Sequence, residues 1–343
     1  MPTSKRSKSR EITFAVLILL FLTSVTCFKR ACRHDHFQKR EYLPEMTHVG
    51  IESLASCLGR IRQRDTPVVF SRVNSSVPFS IALPDHNLDT MVSQFIVRHS
   101  IWDVHVLKAI ELVAAGPCAK GAKALDVGMN VGFFSMAMLA MGCRVTAFEL
   151  QPMLVELSVL SACINSVDGN DFSNRFTVHQ GAASDKHNEA LRRTNILSGN
   201  LGKTSVAESG GVEAVSMRID RVESLRDEIV VMKIDVEGHE SEVLHGMHEL
   251  FVARRVKNIV LEFSPRSLGI EKAADMLQYL FAFGFRDIFE LHYMDFFEYP
   301  SELTMSPIDT SETTWATNFS TSIFNYGDRK SWGFTDILLV LTT

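Results

Sequence analysis

Short apolar runs alternate along this chain with stretches in which apolar residues recur every three or four positions. From Ala122 onward, strand-length runs lie at Ala122–Val127, Arg144–Phe148, Arg175–Gly181, Ile229–Ile234 and Asn258–Phe263. Helical spacing fills the gaps: Phe133–Ala140 follows the first run. After Gly238, Val243, Leu244, Met247, Leu250 and Phe251 keep the period, and Ala273, Leu277, Leu280 and Phe281 repeat it. Phe285–His292 and Phe334–Leu341 add two more strands, and Ile337–Leu341 is apolar without alternation, as in a strand covered on both faces. Strands alternating with helices predict an α/β fold, a Rossmann-like, doubly wound and mostly parallel sheet with crossover helices. Ahead of it, Pro67–Phe70 and Pro78–Leu83 read as a strand pair, followed by the turn Pro84-Asp85-His86-Asn87 and helical pattern to Ala115.

Two insertions break the rhythm. Residues 183–228 hold a polar Gly- and Ser-rich stretch, Ser198–Gly211, and an extra strand at Val212–Ile219. Residues 293–333 read as a long aromatic loop. Loops of this length inside a compact domain are commonly lids or binding segments.

The N-terminus follows another pattern. Residues 12–28 are apolar and uncharged, with the core FAVLILLFL. A bilayer-crossing helix needs about 17–25 such residues, and a secretory signal core only ~7–15. The run is therefore read as a transmembrane signal anchor, with cleavage after Val25-Thr26-Cys27 as the alternative that would release a secreted protein. This divides the chain into a basic tail (1–11), the anchor (12–28), a stalk (29–60), an N-terminal extension packing on the core (61–121) and the main domain (122–343). The bulk of the chain is expected in a secretory-pathway lumen, ER or Golgi. The sequons Asn74-Ser75-Ser76 and Asn318-Phe319-Ser320 are compatible with a glycoprotein there.

Composition narrows the classes. The 343 residues are 46% hydrophobic, which excludes disorder and a small disulfide scaffold. Net charge is −5, with +7 concentrated in residues 1–40 and −12 in the remainder. An acidic main domain argues against nucleic acid as a partner. Cys143 and Cys163 read as reduced core residues, in a strand and a helix. Cys32, His34 and His36 lack a fourth ligand at zinc-like spacing, so no metal site is expected.

The chemistry-bearing signals sit at strand ends. Asp126-Val127-Gly128-Met129-Asn130-Val131-Gly132 runs from the first strand into its helix, where glycines let a ligand approach the backbone and the helix offers free N–H groups. Its G-x-x-x-G spacing fails the G-x-G-x-x-G dinucleotide pattern. The preceding acid disfavours pyrophosphate and suits a cation such as the sulfonium and ammonium of S-adenosylmethionine. Glu149 ends the second strand, where a carboxylate accepts hydrogen bonds from ribose hydroxyls. Asp235, in Lys233-Ile234-Asp235-Val236-Glu237-Gly238-His239-Glu240, closes a buried strand and faces the crevice where α/β sheets bind ligands. Glu240 reads as a structural residue at a helix start.

The set DVGMNVGFFS, FELQP, KIDVEGHESEVLHG and LEFSP resembles the FkbM family of S-adenosylmethionine-dependent methyltransferases, from about Leu125 to Phe285. The resemblance implies an antiparallel last strand and O-methylation of a hydroxyl on a sugar, glycan or other metabolite. It also implies that Asp126, Gly128, Asn130 and Gly132 surround the methionine part, Glu149 the ribose, and Ala182 and Ala183 the adenine. Asp235 and Glu237 would border the reaction centre. For the proton acceptor, Asp235 comes first, with Glu262 or His239 next. A divalent metal on Asp235 and Glu262 is disfavoured, since two carboxylates are too few ligands. The alternative to an enzyme is a catalytically idle binding or assembly domain that retains the cofactor site.

Overall fold

The computed structural model describes residues 68–85, 88–167, 171–193, 200–204, 206–207, 212–292, 302–325 and 334–342. The tail at 1–11, the anchor expected over 12–28 and the stalk at 29–60 lie outside the described residues. Among the described residues, no helix is long and apolar enough to cross a membrane.

The chain opens with β1 (Val68–Val73) and β2 (Phe79–Pro84), antiparallel, then α1 (Val92–His99) and α2 (Val104–Cys118). The main domain follows with β3 (Lys123–Val127), α3 (Phe133–Ala140), β4 (Arg144–Glu149), α4 (Pro152–Val167), α5 (Phe172–Arg175) and β5 (Phe176–Gln180). A small second sheet comes next: β6 (Ala182–Ala183), β7 (Ala190–Arg193), β8 (Val206–Ala207) and β9 (Val212–Met217), in the order β6-β9-β7-β8. The large sheet resumes with β10 (Ile229–Ile234), α6 (Glu240–His245), α7 (His248–Val252), β11 (Asn258–Phe263), α8 (Pro265–Leu268), α9 (Ile270–Ala282) and β12 (Phe285–Leu291). It closes with β13 (Met305–Pro307), α10 (Trp315–Asn325) and β14 (Thr335–Leu341).

The large sheet has the order β13-β12-β14-β11-β10-β3-β4-β5. Strands β5, β4, β3, β10 and β11 are mutually parallel, and β14 runs antiparallel between β11 and β12. The expected doubly wound sheet with an antiparallel last strand is therefore present. Chain order reverses between β3 and β10, and ligands bind at such a switch point. Strand β10 is buried at all six positions because helices cover both of its faces. Period-2 alternation sorts its neighbours: Leu125 and Val127 of β3 enter the core beneath α6, α7, α9 and α10, whereas Ala124 enters the core beneath β2, α2, α3 and α4.

Two expectations need correction. Segment 293–333 is not a plain loop, since it contains β13 and α10. Trp315 packs at 5.5 Å against Phe281, and Phe319 stacks at 5.5 Å on Phe263, which is how the aromatic residues leave water. Cys143 is not a reduced strand residue: it sits in the turn before β4, disulfide-bonded to Cys118 at the end of α2. Cys163, in α4, is disulfide-bonded as well. An apolar setting does not distinguish a thiol from half of a bridge, so sequence context alone misread both.

Candidate active site at the switch point

The turn after β3 carries the first part of the site. Gly128 has φ +76°, and a Cβ there would lie 1.8 Å from the main-chain oxygen of Asp235. Only glycine lets the turn lie against the end of β10. Asn130 also adopts a left-handed conformation (φ 54°), a region asparagine tolerates, and Glu237 on the facing loop does so at φ 56°. Strained residues cluster where geometry is over-determined, commonly at functional sites.

Glu149 ends β4 with both oxygens held by main-chain N–H groups. Asn130 N donates to Oε2 at 2.9 Å and Gln151 N donates to Oε1 at 2.8 Å. Each carboxylate oxygen keeps a second lone pair for a ligand hydroxyl. Burial pushes the Glu149 carboxyl up to about 7, against those N–H groups, which favour the charged form.

Asp126 is buried. Its Oδ2 accepts from Ser135 Oγ at 2.6 Å, its Oδ1 has no partner among the described residues, and burial raises its pKa. Lys233 stands beside it in register across β3 and β10. Its Nζ donates to Asp235 Oδ2 at 3.0 Å and to the Gly128 carbonyl at 3.3 Å. Burial would lower the Lys233 ammonium, but Asp235 and Asp126 outweigh it and hold it above the usual lysine range. Glu237 is pushed up to about 7 by burial and then by the Asp235 charge.

One cavity, open to solvent, lies at the ends of these strands. Gly128, Asn130, Glu149, Ala182, Ala183, Asp235, Glu237 and His239 all line it. Asp126, Gly132 and Glu262 are not among its lining residues. Gly132 is the N-cap of α3, and Asp126 lies beneath the turn.

Glu262 on β11 pairs in register with Asp336 of β14, and burial followed by the Asp235 and Glu237 charges raises its pKa well above the carboxylate range. His239 turns its ring to Ser184 Oγ (3.1 Å) and Glu242 (3.6 Å), and burial lowers its pKa. It sits beside the Ala182–Ala183 end of the cavity. Glu240 is structural: Oε1 accepts from Val236 N and Gly238 N and holds the loop after β10. No group of three or more His, Cys, Asp or Glu side chains that could hold a metal occurs among the described residues.

Sequence reasoning missed the contribution of the first insertion. Gly202 and Thr204 line the cavity, a Cβ on Gly202 would lie 2.5 Å from Asn130 Nδ2, and Gln151 Nε2 donates to the Leu201 carbonyl at 2.6 Å. Nothing local marks these residues, since the segment is polar and glycine-rich throughout. Lys233 was visible as a lone charge in an apolar strand, a signal that calls for a partner.

The sheet order, the glycine turn and a carboxylate ending the second strand define a class I methyltransferase-type nucleotide fold. Residues 126–286 match the family described as the methyltransferase FkbM domain, a match that supports S-adenosylmethionine as the cofactor. Over 66 residues the chain is 41% identical to the ubiquinone biosynthesis O-methyltransferase of Xanthomonas campestris pv. campestris (strain B100); these are 19% of this chain and 28% of that protein. Among solved structures, the TehB-like SAM-dependent methyltransferase from Corynebacterium glutamicum covers 69% of this chain and 88% of its own at 12% identity and TM-score 0.33. The human methyltransferase 10 domain containing protein covers 77% and 89% at 10% identity and TM-score 0.36.

The residues present fit this cofactor. Glu149 offers two anchored acceptor oxygens for a ribose diol, the Gly128 turn admits a ligand against the main chain, and Asp235 supplies a carboxylate for a cationic centre. The small side chains of Ala182 and Ala183 leave width for a purine ring.

Proposed function

We propose that the protein O-methylates a hydroxyl of a sugar, glycan or related metabolite, acting from a membrane anchor with its domain in a secretory-pathway lumen. The observation that carries the chemistry is the pairing of Glu149, anchored by two main-chain donors, with Asp235 across the same cavity. Bound S-adenosylmethionine supplies an electrophilic methyl group on a sulfonium. The chain's own residues then position and deprotonate. Glu149, Asn130 and Gly128 bind the donor's nucleoside and main-chain-facing parts, while segment 200–204 covers them from water.

Asp235, a third exposed at its side chain and ion-paired to Lys233, accepts the acceptor's hydroxyl proton as the O–CH3 bond forms. Glu262 does not line the cavity, and the His239 ring is turned to Ser184 and Glu242, so Asp235 comes first for this role. Positioning of the two reactants can supply as much as ~7–11 kcal/mol. The O-methyltransferase name of the Xanthomonas relative supports oxygen as the acceptor, within the 28% of that protein that aligns. The test is Asp235→Asn, expected to retain measurable S-adenosylhomocysteine binding and to lose most transfer of labelled methyl to a glycan extract. Undiminished transfer removes Asp235 from the mechanism, and binding without transfer by the unmodified protein favours an idle binding domain.

The compartment reading rests on different support. The apolar run at 12–28 is of membrane-spanning length, and Asn74 and Asn318 are both exposed, as glycosylated asparagines must be. Disulfides at Cys118–Cys143 and at Cys163 persist in oxidising compartments and are rare in cytosol. Digestion with a glycosidase after expression with the full N-terminus tests it. A mobility shift that disappears in the Asn74→Gln/Asn318→Gln variant is expected, and its absence places the domain elsewhere.

A further inference from the structure

A lysine buried in the central strand of a sheet needs an explanation. Lys233 is 5% exposed, and the rest of β10 is apolar: Ile229, Val230, Val231, Met232 and Ile234. A well-packed hydrophobe would be at least as stabilising at such a position, because desolvating an ammonium costs several kcal/mol before any partner is found. The side chain joins three pieces of the site. It reaches the carbonyl of Gly128 in the β3–α3 turn, the carboxylate of Asp235 two residues on, and the face of the Phe134 ring on α3, 5.2 Å away. Gly128 has no side chain by which to be held, and its contact with Asp235 is main chain against main chain.

We propose that Lys233 is a positioning residue of the cofactor pocket: its ammonium ties the Gly128 carbonyl to the Asp235 carboxylate. The glycine turn and the end of β10 are thereby kept in one geometry for S-adenosylmethionine. This rests on the cofactor assignment above. A lysine that served only to balance the buried Asp126 would affect folding and leave the ligand energetics of Gly128 and Asp235 independent of it. A lysine that ties them makes those energetics depend on each other.

The experiment is a double-mutant cycle on the full chain, read by calorimetric titration with S-adenosylhomocysteine, with thermal unfolding recorded for each variant. Lys233→Met is expected to weaken binding at least tenfold in the native background, and threefold or less when Asp235→Asn is already present. Amide hydrogen exchange at Gly128–Gly132 is expected to quicken in Lys233→Met. If that variant does not fold, Lys233→Gln, which keeps an N–H donor without the charge, takes its place with the same thresholds.

Penalties that simply multiply, or binding by the lysine variant within threefold of the native protein, overturn the role of Lys233 and leave the cofactor assignment standing. A native protein that binds no S-adenosylhomocysteine overturns both.

Discussion

Glu149 shows how one residue sets a measurable property. Its carboxyl is lifted to about 7 by burial, and ribose hydroxyls would donate to the ionised form. Ligand binding must then displace a proton wherever the free site is protonated. At pH 6.5, S-adenosylhomocysteine binding is expected to release a fraction of a proton, read as a buffer-dependent enthalpy. Affinity should rise as pH increases towards 7, by no more than about tenfold per unit for a single group. Glu149→Gln removes the titration and the charged acceptor, at about 1.5–3 kcal/mol or ~10–160-fold in affinity. Unchanged proton release in that variant would assign the linkage to Glu237, which titrates in the same range. Gly128→Ala sets a Cβ against the Asp235 oxygen at a positive φ; left-handed strain alone costs roughly 1–3 kcal/mol. Loss of ligand binding with a lowered melting temperature is the expected result. The position and residue type of Glu149, Gly128 and Asp235 were legible from the chain. The main-chain donors on Glu149 were not, because they come from the turn at Asn130 and the residue after the strand.

At the scale of elements, β10, β11 and α3 occupy the residues their apolar patterns predict, because each is a continuous run packed on both sides or along one face. The first insertion defied such reading. Its residues carry no period, and segment 200–204 is held over the cavity by contacts with distant residues, Gln151 and Asn130. Gln151→Ala removes the Nε2 hydrogen bond to Leu201, worth about 0.5–1.5 kcal/mol. Ligand dissociation is expected to accelerate severalfold in stopped-flow displacement, with little change in melting temperature, because the segment does not belong to the main sheet. An unaltered off-rate would mean that the segment does not retain the ligand.

Across the whole molecule, buried carboxyls of one tendency accumulate. Asp103, Asp126, Glu149, Glu237, Glu240 and Glu262 all have raised pKa values, with burial the leading cause in each. The folded domain thus keeps protons that the unfolded chain releases. Their stabilising contribution is complete below the unfolded carboxyl range and is lost as pH rises through about 6 to 7. Calorimetric scans of the free protein should show a melting temperature falling from pH 5 to 7.5, with S-adenosylhomocysteine restoring part of the loss. The Cys118–Cys143 bridge, 25 residues apart in sequence, acts on the unfolded chain instead. Chain-entropy reasoning assigns a loop of that size about 3–4 kcal/mol, so Cys118→Ser/Cys143→Ser should melt well below the native protein under non-reducing conditions.

The main strands β3 to β5 and β10 to β12, the glycine turn and the acids at the strand ends were all determined by sequence, since each depends on neighbours within about one element's length. The pairing of Lys233 with Asp235 and the Gly128 carbonyl was decided only in three dimensions. The same holds for the rotation of His239 towards Ser184, the cover supplied by residues 200–204 and the bridging of Cys143. Each joins groups through a sheet register or a crossover, where burial and distance, rather than the local pattern, determine what a side chain meets.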